Sequence, residues 1–207
     1  MKTPFVVFAA LCAWSVVSAS SVEKIKNERV IAHEITLQPG EVEPAGGGRP
    51  SVTVYLTDGV VVTAPSKSSS TAKVIPGVTY YREAKGESIK AAGSAPVRFV
   101  RIEFLGGGDD FVWGTKGFAP DYKLLRENRY ARVYNIRIPA GGSEPQHTHR
   151  DRVVVCLSGA KLRHVLPDGH EEDSSIATND CLWRKAQTHV GKNIGTTPLW
   201  VIAIEPK

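Results

Sequence analysis

The stretch that decides the fold reads IRIPAGGSEPQHTH and occupies residues 136–149. It begins with alternating apolar and polar residues, which is typical of a β-strand with one buried face. A turn rich in Pro and Gly follows, and the stretch ends in His147-Thr148-His149. Residues two apart in an extended strand project from the same face, so the two imidazoles can point at one place.

The same pattern occurs earlier in the chain. An internal alignment matches ITLQPGEVEP (35–44) with IRIPAGGSEP (136–145) and VTVYLTDG (52–59) with RVVVCLSG (152–159). A third match pairs GSAPVRFV (93–100) with GTTPLWVI (195–202). Three matches in one order predict two copies of a β unit. We therefore predict an all-β chain with an N-terminal unit at 20–105 and a C-terminal unit at 131–207.

Residues 106–130, which are rich in Gly and aromatic residues, are predicted to form a linker between the units. Within this region, the segment from Asp121 to Asn128 is the one place where we expect a helical turn.

The first nineteen residues have the layout of a secretory signal peptide. Lys2 precedes an almost uncharged apolar run from Phe5 to Val17, and Val17 and Ala19 are small enough for cleavage after Ala19. A buried N-terminal helix is the alternative. Since Leu11 before Cys12 is too bulky for a lipoprotein cleavage box, we expect a secreted or periplasmic chain with no membrane anchor after cleavage.

Charge and cysteine content limit the partners and the redox chemistry. The formal net charge is +5, and the basic residues are scattered without an aromatic-interleaved stripe, so nucleic-acid binding is not expected. Cys156 and Cys181 could form one disulfide or remain two separately buried thiols.

A third histidine completes the metal hypothesis. His189 follows the His147/His149 pair by about forty residues, and a neighbouring strand could bring it to the same point. The first unit has Ala45 to Gly48 where the second has Gln146 to His149, so we predict a single site in the C-terminal unit. The remaining histidines are assigned elsewhere, with His33 in the core and His164 and His170 in a solvated hairpin.

The motifs resemble those of the cupin superfamily, whose first motif runs from a Gly through His-x-His and a Glu to a second Gly. Gly141, His147, His149 and Gly159 fit this pattern, and Val153 stands at the Glu position. His189 and Asn193 match the end of the second motif, whereas Arg184 and Ala186 replace its Pro and Gly. The resemblance implies a bicupin, that is, two tandem antiparallel β-barrels, with metal ligands His147, His149 and His189. It also implies a homodimer.

Three imidazoles without the carboxylate suit a divalent ion of Fe, Mn, Zn, Ni, Co or Cu. The site would keep its positive charge and favour a small oxygenated organic anion as ligand or substrate. Three-histidine cupin dioxygenases are the family precedent, so dioxygenase-type chemistry is our leading hypothesis, and a non-catalytic metal- or ligand-binding cupin is the alternative. We expect Tyr134, Val153 and Trp183 to line the pocket, and no catalytic residue can be assigned.

Overall fold

The computed structural model describes residues 19–43, 48–64, 69–83 and 87–207. The predicted signal peptide, apart from Ala19, therefore lies outside the described residues. None of the described residues belongs to a helix long and apolar enough to cross a membrane.

Within these ranges the chain forms eighteen β-strands and no α-helix. The strands are β1 (Ser20–Lys26), β2 (Val30–Leu37), β3 (Val42–Glu43), β4 (Ser51–Tyr55), β5 (Gly59–Ala64), β6 (Ser70–Val74), β7 (Thr79–Arg82), β8 (Ser88–Ala91), β9 (Val97–Phe104), β10 (Tyr122–Glu127), β11 (Ala131–Ile138), β12 (His147–His149), β13 (Arg152–Ser158), β14 (Ala160–Val165), β15 (Glu171–Ile176), β16 (Cys181–Arg184), β17 (Gln187–Asn193) and β18 (Leu199–Pro206).

The strands form two tandem cupin-type barrels, as the sequence predicts. Each barrel combines a five-stranded and a four-stranded antiparallel sheet. The first has strand orders β1-β2-β9-β4-β7 and β3-β8-β5-β6. The second repeats both orders nine strands later, as β10-β11-β18-β13-β16 and β12-β17-β14-β15. Even the irregularities recur, because a register shift interrupts both the β1–β2 and the β10–β11 pairing.

The prediction of a helical turn at residues 121–128 is wrong. This segment forms strand β10, which pairs antiparallel with β11 at the edge of the second large sheet. The physical reason is a period of two, since Tyr122 and Leu124 are half-buried while Lys123 and Leu125 are exposed. The second barrel therefore draws its first strand from the region that the sequence suggested was a linker.

The two large sheets pack face to face over one shared apolar core. Val30, Val52, Val54, Val100 and Ile102 are among the residues that the first barrel contributes. The second barrel contributes Ala131, Val133, Val153, Val155, Cys181, Ile202 and Ile204. A separate apolar cluster fills the inside of each barrel, so every central strand of the large sheets is buried on both faces.

Strand β13 shows how the two faces divide. Val153 and Val155 point into the core between the barrels, whereas Val154 and Cys156 point into the second barrel. Cys181 lies in the core between the barrels and Cys156 does not. Both cysteines are buried and free, so they are two separate thiols rather than a disulfide.

The two motif glycines have physical explanations. Gly141 has a φ of 74°, in the left-handed region that side chains disfavour. Gly159 lies between β13 and β14, and a Cβ there would sit 2.4 Å from the carbonyl oxygen of Ile176 and 2.9 Å from the backbone nitrogen of Thr178. Backbone atoms occupy the space that a side chain would need.

We predict that Gly159→Ala lowers the free energy of unfolding by about 1–3 kcal/mol, the usual cost of forcing extra atoms into a packed region. Equilibrium urea denaturation measures this change. Gly107→Ala is the control, because a Cβ at Gly107 meets no atom within 4 Å, and it should leave stability unchanged. Equal midpoints for both variants would contradict the steric argument.

Candidate metal centre

Strands β12 and β17 bring the three predicted histidines together. In their antiparallel pairing His147 lies directly opposite His189, and His149 lies opposite Gln187. Side chains of directly opposed residues share a face, and so do residues two apart on one strand. His147, His149 and His189 therefore point into the second barrel, where they are 6%, 4% and 3% exposed. Thr148 and Thr188, on the other face, form an exposed hydroxyl pair.

The imidazole nitrogens are close enough to share an ion. The Nε2 atoms of His147 and His149 are 3.0 Å apart, and one nitrogen of each of the three rings lies within 4.8 Å of the other two. Bonds of about 2.0–2.1 Å from each ring to one ion require nitrogens no more than about 4 Å apart. The His147/His149 pair meets this limit, and the three nitrogens together spread slightly beyond it.

Hydrogen bonds fix which nitrogens carry protons. Nδ1 of His147 donates to the backbone carbonyl of Pro145 at 2.8 Å, and Nδ1 of His189 donates to the side-chain carbonyl of Gln187 at 2.9 Å. Carbonyl oxygens only accept, so Nδ1 is the protonated nitrogen in both rings. Their Nε2 lone pairs are free, which is the arrangement that metal-binding histidines adopt.

Burial keeps all three rings neutral. It lowers the pKa of His147, His149 and His189 below the ordinary value, to about 3 for His189, and the positive charge of Arg152 acts in the same direction. The Nε2 atoms of His147 and His149 are only 3.0 Å apart, so one proton or one ion can lie between them. With no proton on Nε2 of His147, this atom can accept either a proton from Nε2 of His149 or a cation shared by both rings. The donor set therefore fits a divalent transition metal.

Tyr122 also reaches the centre, and sequence reasoning did not find it. Its hydroxyl oxygen lies 3.0 Å from Nε2 of His147, 3.1 Å from Nε2 of His149 and 3.4 Å from Oε2 of Glu144. Burial, followed by the charge of Glu144, raises the pKa of Tyr122 well above its ordinary value. Recognising residues 122–127 as a strand would have placed this side chain over β11.

Glu144 is the second residue that sequence reasoning missed. It is 3% exposed, and Oε2 lies 3.8 Å from Nε2 of His147. Burial and then the charge of Asp121 raise its pKa to about 8. Gly191 makes room for it, since a Cβ there would lie 2.8 Å from Oε2. The internal repeat could have indicated this residue, because Glu144 aligns with Glu43 of the first unit and both are buried.

The histidines open onto a cavity of about 510 Å³ inside the second barrel. Arg152 lines it and is 8% exposed, yet its only hydrogen bonds with the described part of the chain are 3.3 Å contacts to the backbone carbonyls of Arg150 and Lys185. Arg184 and His164 line it as well. The cavity thus contains a buried guanidinium with donors to spare.

The other predicted pocket residues lie elsewhere. Val153 and Trp183 pack in the core between the barrels, on the opposite face of their strands from the cavity, because side chains alternate along a strand. The cavity-facing neighbours of Val153 are Arg152 and Val154. Tyr134 is fully buried, and its hydroxyl donates to Glu205 at 2.8 Å instead of reaching the cavity.

The hairpin histidines differ from one another. His170 is exposed at the turn, as predicted. The prediction that His164 is solvated is wrong, because its ring stacks on His189 with centroids 4.4 Å apart. Strand β14 pairs with β17, which places His164 opposite Gly191 in the cavity wall.

The first barrel contains buried charged residues that pair with one another. Glu43 on β3 forms ion pairs with Arg82, at 3.2 Å, and with Arg101. Residues 45–47, which align with part of the histidine segment, lie outside the described residues. Among the residues that the structure describes, one group of potential metal ligands is found, and it is the three histidines of the second barrel.

Comparison with solved structures supports the fold. A cupin 2 conserved barrel domain protein from Leptotrichia buccalis superposes with a TM-score of 0.62 at 13% identity, over 92% of this chain and 90% of that chain. AerE from Microcystis aeruginosa gives 0.61 at 11% identity, over 92% and 97%. A point mutant of Bacillus subtilis oxalate decarboxylase OxdC gives 0.62 at 15% identity, over 90% and 72%.

These likenesses show the fold alone, because the identities are low. Mn(II) centres are described for the Bacillus subtilis oxalate decarboxylase. No protein-family model matches the chain, and no curated protein matches its sequence.

Proposed function

We propose that this chain is a secreted or periplasmic bicupin whose second barrel binds one divalent transition metal and acts on a small oxygenated organic anion. The observation that carries the proposal is the convergence of three buried imidazoles whose ring nitrogens lie within 4.8 Å of one another. Similarity to solved structures supports only the barrel fold. The side chains His147, His149 and His189 support the metal site.

The protein side chains account for the choice of ligand. A buried guanidinium without a carboxylate partner is costly, and an anionic ligand offsets that cost. Arg152 can bind a carboxylate through two parallel hydrogen bonds, which fixes its orientation. Apolar residues such as Ile136, Ile138 and Leu199 line the same cavity and limit its water content. The arrangement suits a small carboxylate or enolate held beside the three histidines.

The division of chemical roles follows from position. When bound, the ion would supply Lewis acidity, and a redox-active ion would add the dioxygenase-type chemistry of our leading hypothesis. Glu144 lies at the edge of the site, 3.8 Å from Nε2 of His147, so it can hold or move a proton there. Arg152 would bind the anion beside the three histidines.

Metal content provides the first test. We expect purified protein to bind about one equivalent of divalent metal, and His147→Ala and His189→Ala to bind none, because each removes a ligand from a three-ligand set. Elemental analysis and circular dichroism measure metal and fold. His170→Ala is the control and should retain the metal. Full metal content in either ligand variant would refute the assignment of the site.

Anion binding provides the second test. We expect Arg152→Met to weaken the binding of malonate to metal-loaded protein by about tenfold or more, since hydrogen bonds to charged groups contribute about 1.5–3 kcal/mol. Calorimetric titration measures the affinity, with the exposed Arg137→Met as control. Unchanged affinity would show that Arg152 is not the anion-binding residue.

Dioxygen uptake by the iron-loaded protein, over a panel of small acids and diketones, separates the two functional hypotheses. No uptake with any compound would favour the non-catalytic binding cupin.

Secretion rests on the N-terminal sequence. We expect protein isolated from its native compartment to begin at Ser20, because cleavage after Ala19 follows the small residues that a signal peptidase requires. Intact-mass measurement determines the N-terminus. A mature chain that retains Met1 and the apolar run would exclude the proposed signal peptide.

A further inference from the structure

The hydroxyl of Tyr122 forms a nearly equilateral triangle with two of the histidine nitrogens. It lies 3.0 Å from Nε2 of His147 and 3.1 Å from Nε2 of His149, and those two nitrogens are 3.0 Å apart. All three atoms are donors suited to a divalent transition metal once the phenol has lost its proton.

This spacing is the one that neighbouring ligands of a single ion adopt. Two ligands at right angles, each about 2.1 Å from the ion, are separated by about 3.0 Å. The Tyr122 oxygen therefore stands at ligand distance from both imidazoles. Oε2 of Glu144 lies farther out, 3.4 Å from the Tyr122 oxygen and 3.8 Å from Nε2 of His147.

The polar atoms around the Tyr122 hydroxyl outnumber the protons that this hydroxyl can donate. The Tyr122 hydroxyl has one proton to donate, and it faces Nε2 of His147, Nε2 of His149 and the Glu144 carboxylate. Nε2 of His147 carries no proton of its own, because its Nδ1 donates to Pro145. A shared cation satisfies the phenol oxygen and both nitrogens at once.

The ring of Tyr122 is fixed in this orientation by its neighbours. It packs against Phe118, Tyr134 and His149, with ring centroids 5.6, 5.5 and 5.7 Å away. The backbone is held by β10, where Tyr122 lies opposite Ile136. Packing on several sides keeps the oxygen at the centre, so little reorganisation is needed on binding.

The geometry points to Tyr122 as a fourth protein ligand of the ion held by His147, His149 and His189. This inference rests on the proposed function, since it requires an ion at the three histidines. Tyr122 then supplies the anionic ligand that Val153 cannot supply at the motif's acidic position. The ligand comes from the first strand of the barrel, ahead of both histidine motifs.

Copper(II) is the probe for a test, because a phenolate bound to copper(II) gives a charge-transfer absorption in the visible range. We expect wild-type protein titrated with one equivalent of copper(II) to develop this absorption, together with phenolate modes in the resonance Raman spectrum. Tyr122→Phe should lose both signals and bind copper(II) at least about tenfold more weakly.

Tyr134→Phe is the matched control. Tyr134 is also buried, stacks on Tyr122 and donates to a buried carboxylate, but its hydroxyl bonds Glu205 rather than a histidine. This variant should keep the absorption and the affinity. Circular dichroism and thermal unfolding verify that both variants are folded, and the wild-type spectrum tests the ligand without any substitution.

The outcomes separate this inference from the proposed function. Stoichiometric copper without a phenolate signal, and with equal affinity in Tyr122→Phe, would overturn the ligand assignment and leave the three-histidine site standing. If wild-type protein binds no copper(II), zinc(II) or manganese(II), both the assignment and the proposed metal site fail. A phenolate signal that persists in Tyr122→Phe and disappears in Tyr134→Phe would overturn the assignment in favour of the other tyrosine.

Discussion

The pairing of β12 with β17 is the constraint on which the site depends. It sets His147 opposite His189, and strand alternation then places His149 on the same face. The pairing alone would bring imidazoles together in either protonation state. Burial and the two Nδ1 hydrogen bonds decide that neutral nitrogens face the centre. The pairing of two short strands thus creates a group of nitrogen atoms that favours binding of a cation.

The two barrels show how one unit can be filled in two ways. Arg101 on β9 lies opposite His33 and Thr53, and the corresponding position on β18 is Ala203, which lies opposite Tyr134 and Val154. The arginine extends into the first barrel and pairs with Glu43. The alanine leaves space in the second barrel. The second barrel therefore packs an apolar residue at the position where the first barrel holds an ion pair.

Features that depend on periodicity, such as the strands, were predicted correctly from the sequence. Features that depend on the exact register of a strand, such as the residues that line the pocket, were not. Alternation and the internal repeat predicted two copies of a β unit, and the resemblance to cupins implied that each is a barrel. The spacing of the histidines predicted that they would meet. Val153 was assigned to the pocket, yet shifting a strand by one residue exchanges its faces, and Arg152 and Val154 are the cavity-facing residues. Tyr122 was missed because β10 is a partly exposed edge strand with a weak apolar pattern. Glu144 was missed because it lies in the irregular segment between β11 and β12, where no periodicity applies.

The apolar core shared by the two large sheets has a consequence for how this protein can evolve. Duplication leaves one copy free to lose its chemistry, and the first barrel has no cluster of metal ligands among its described residues. Loss of the first barrel would expose apolar residues of the second, since Val52, Val54 and Ile102 form one buried core with Val153, Val155 and Ile204. Selection on the first barrel therefore acts strongly on the apolar surface that it presents to the second barrel, whatever its interior binds.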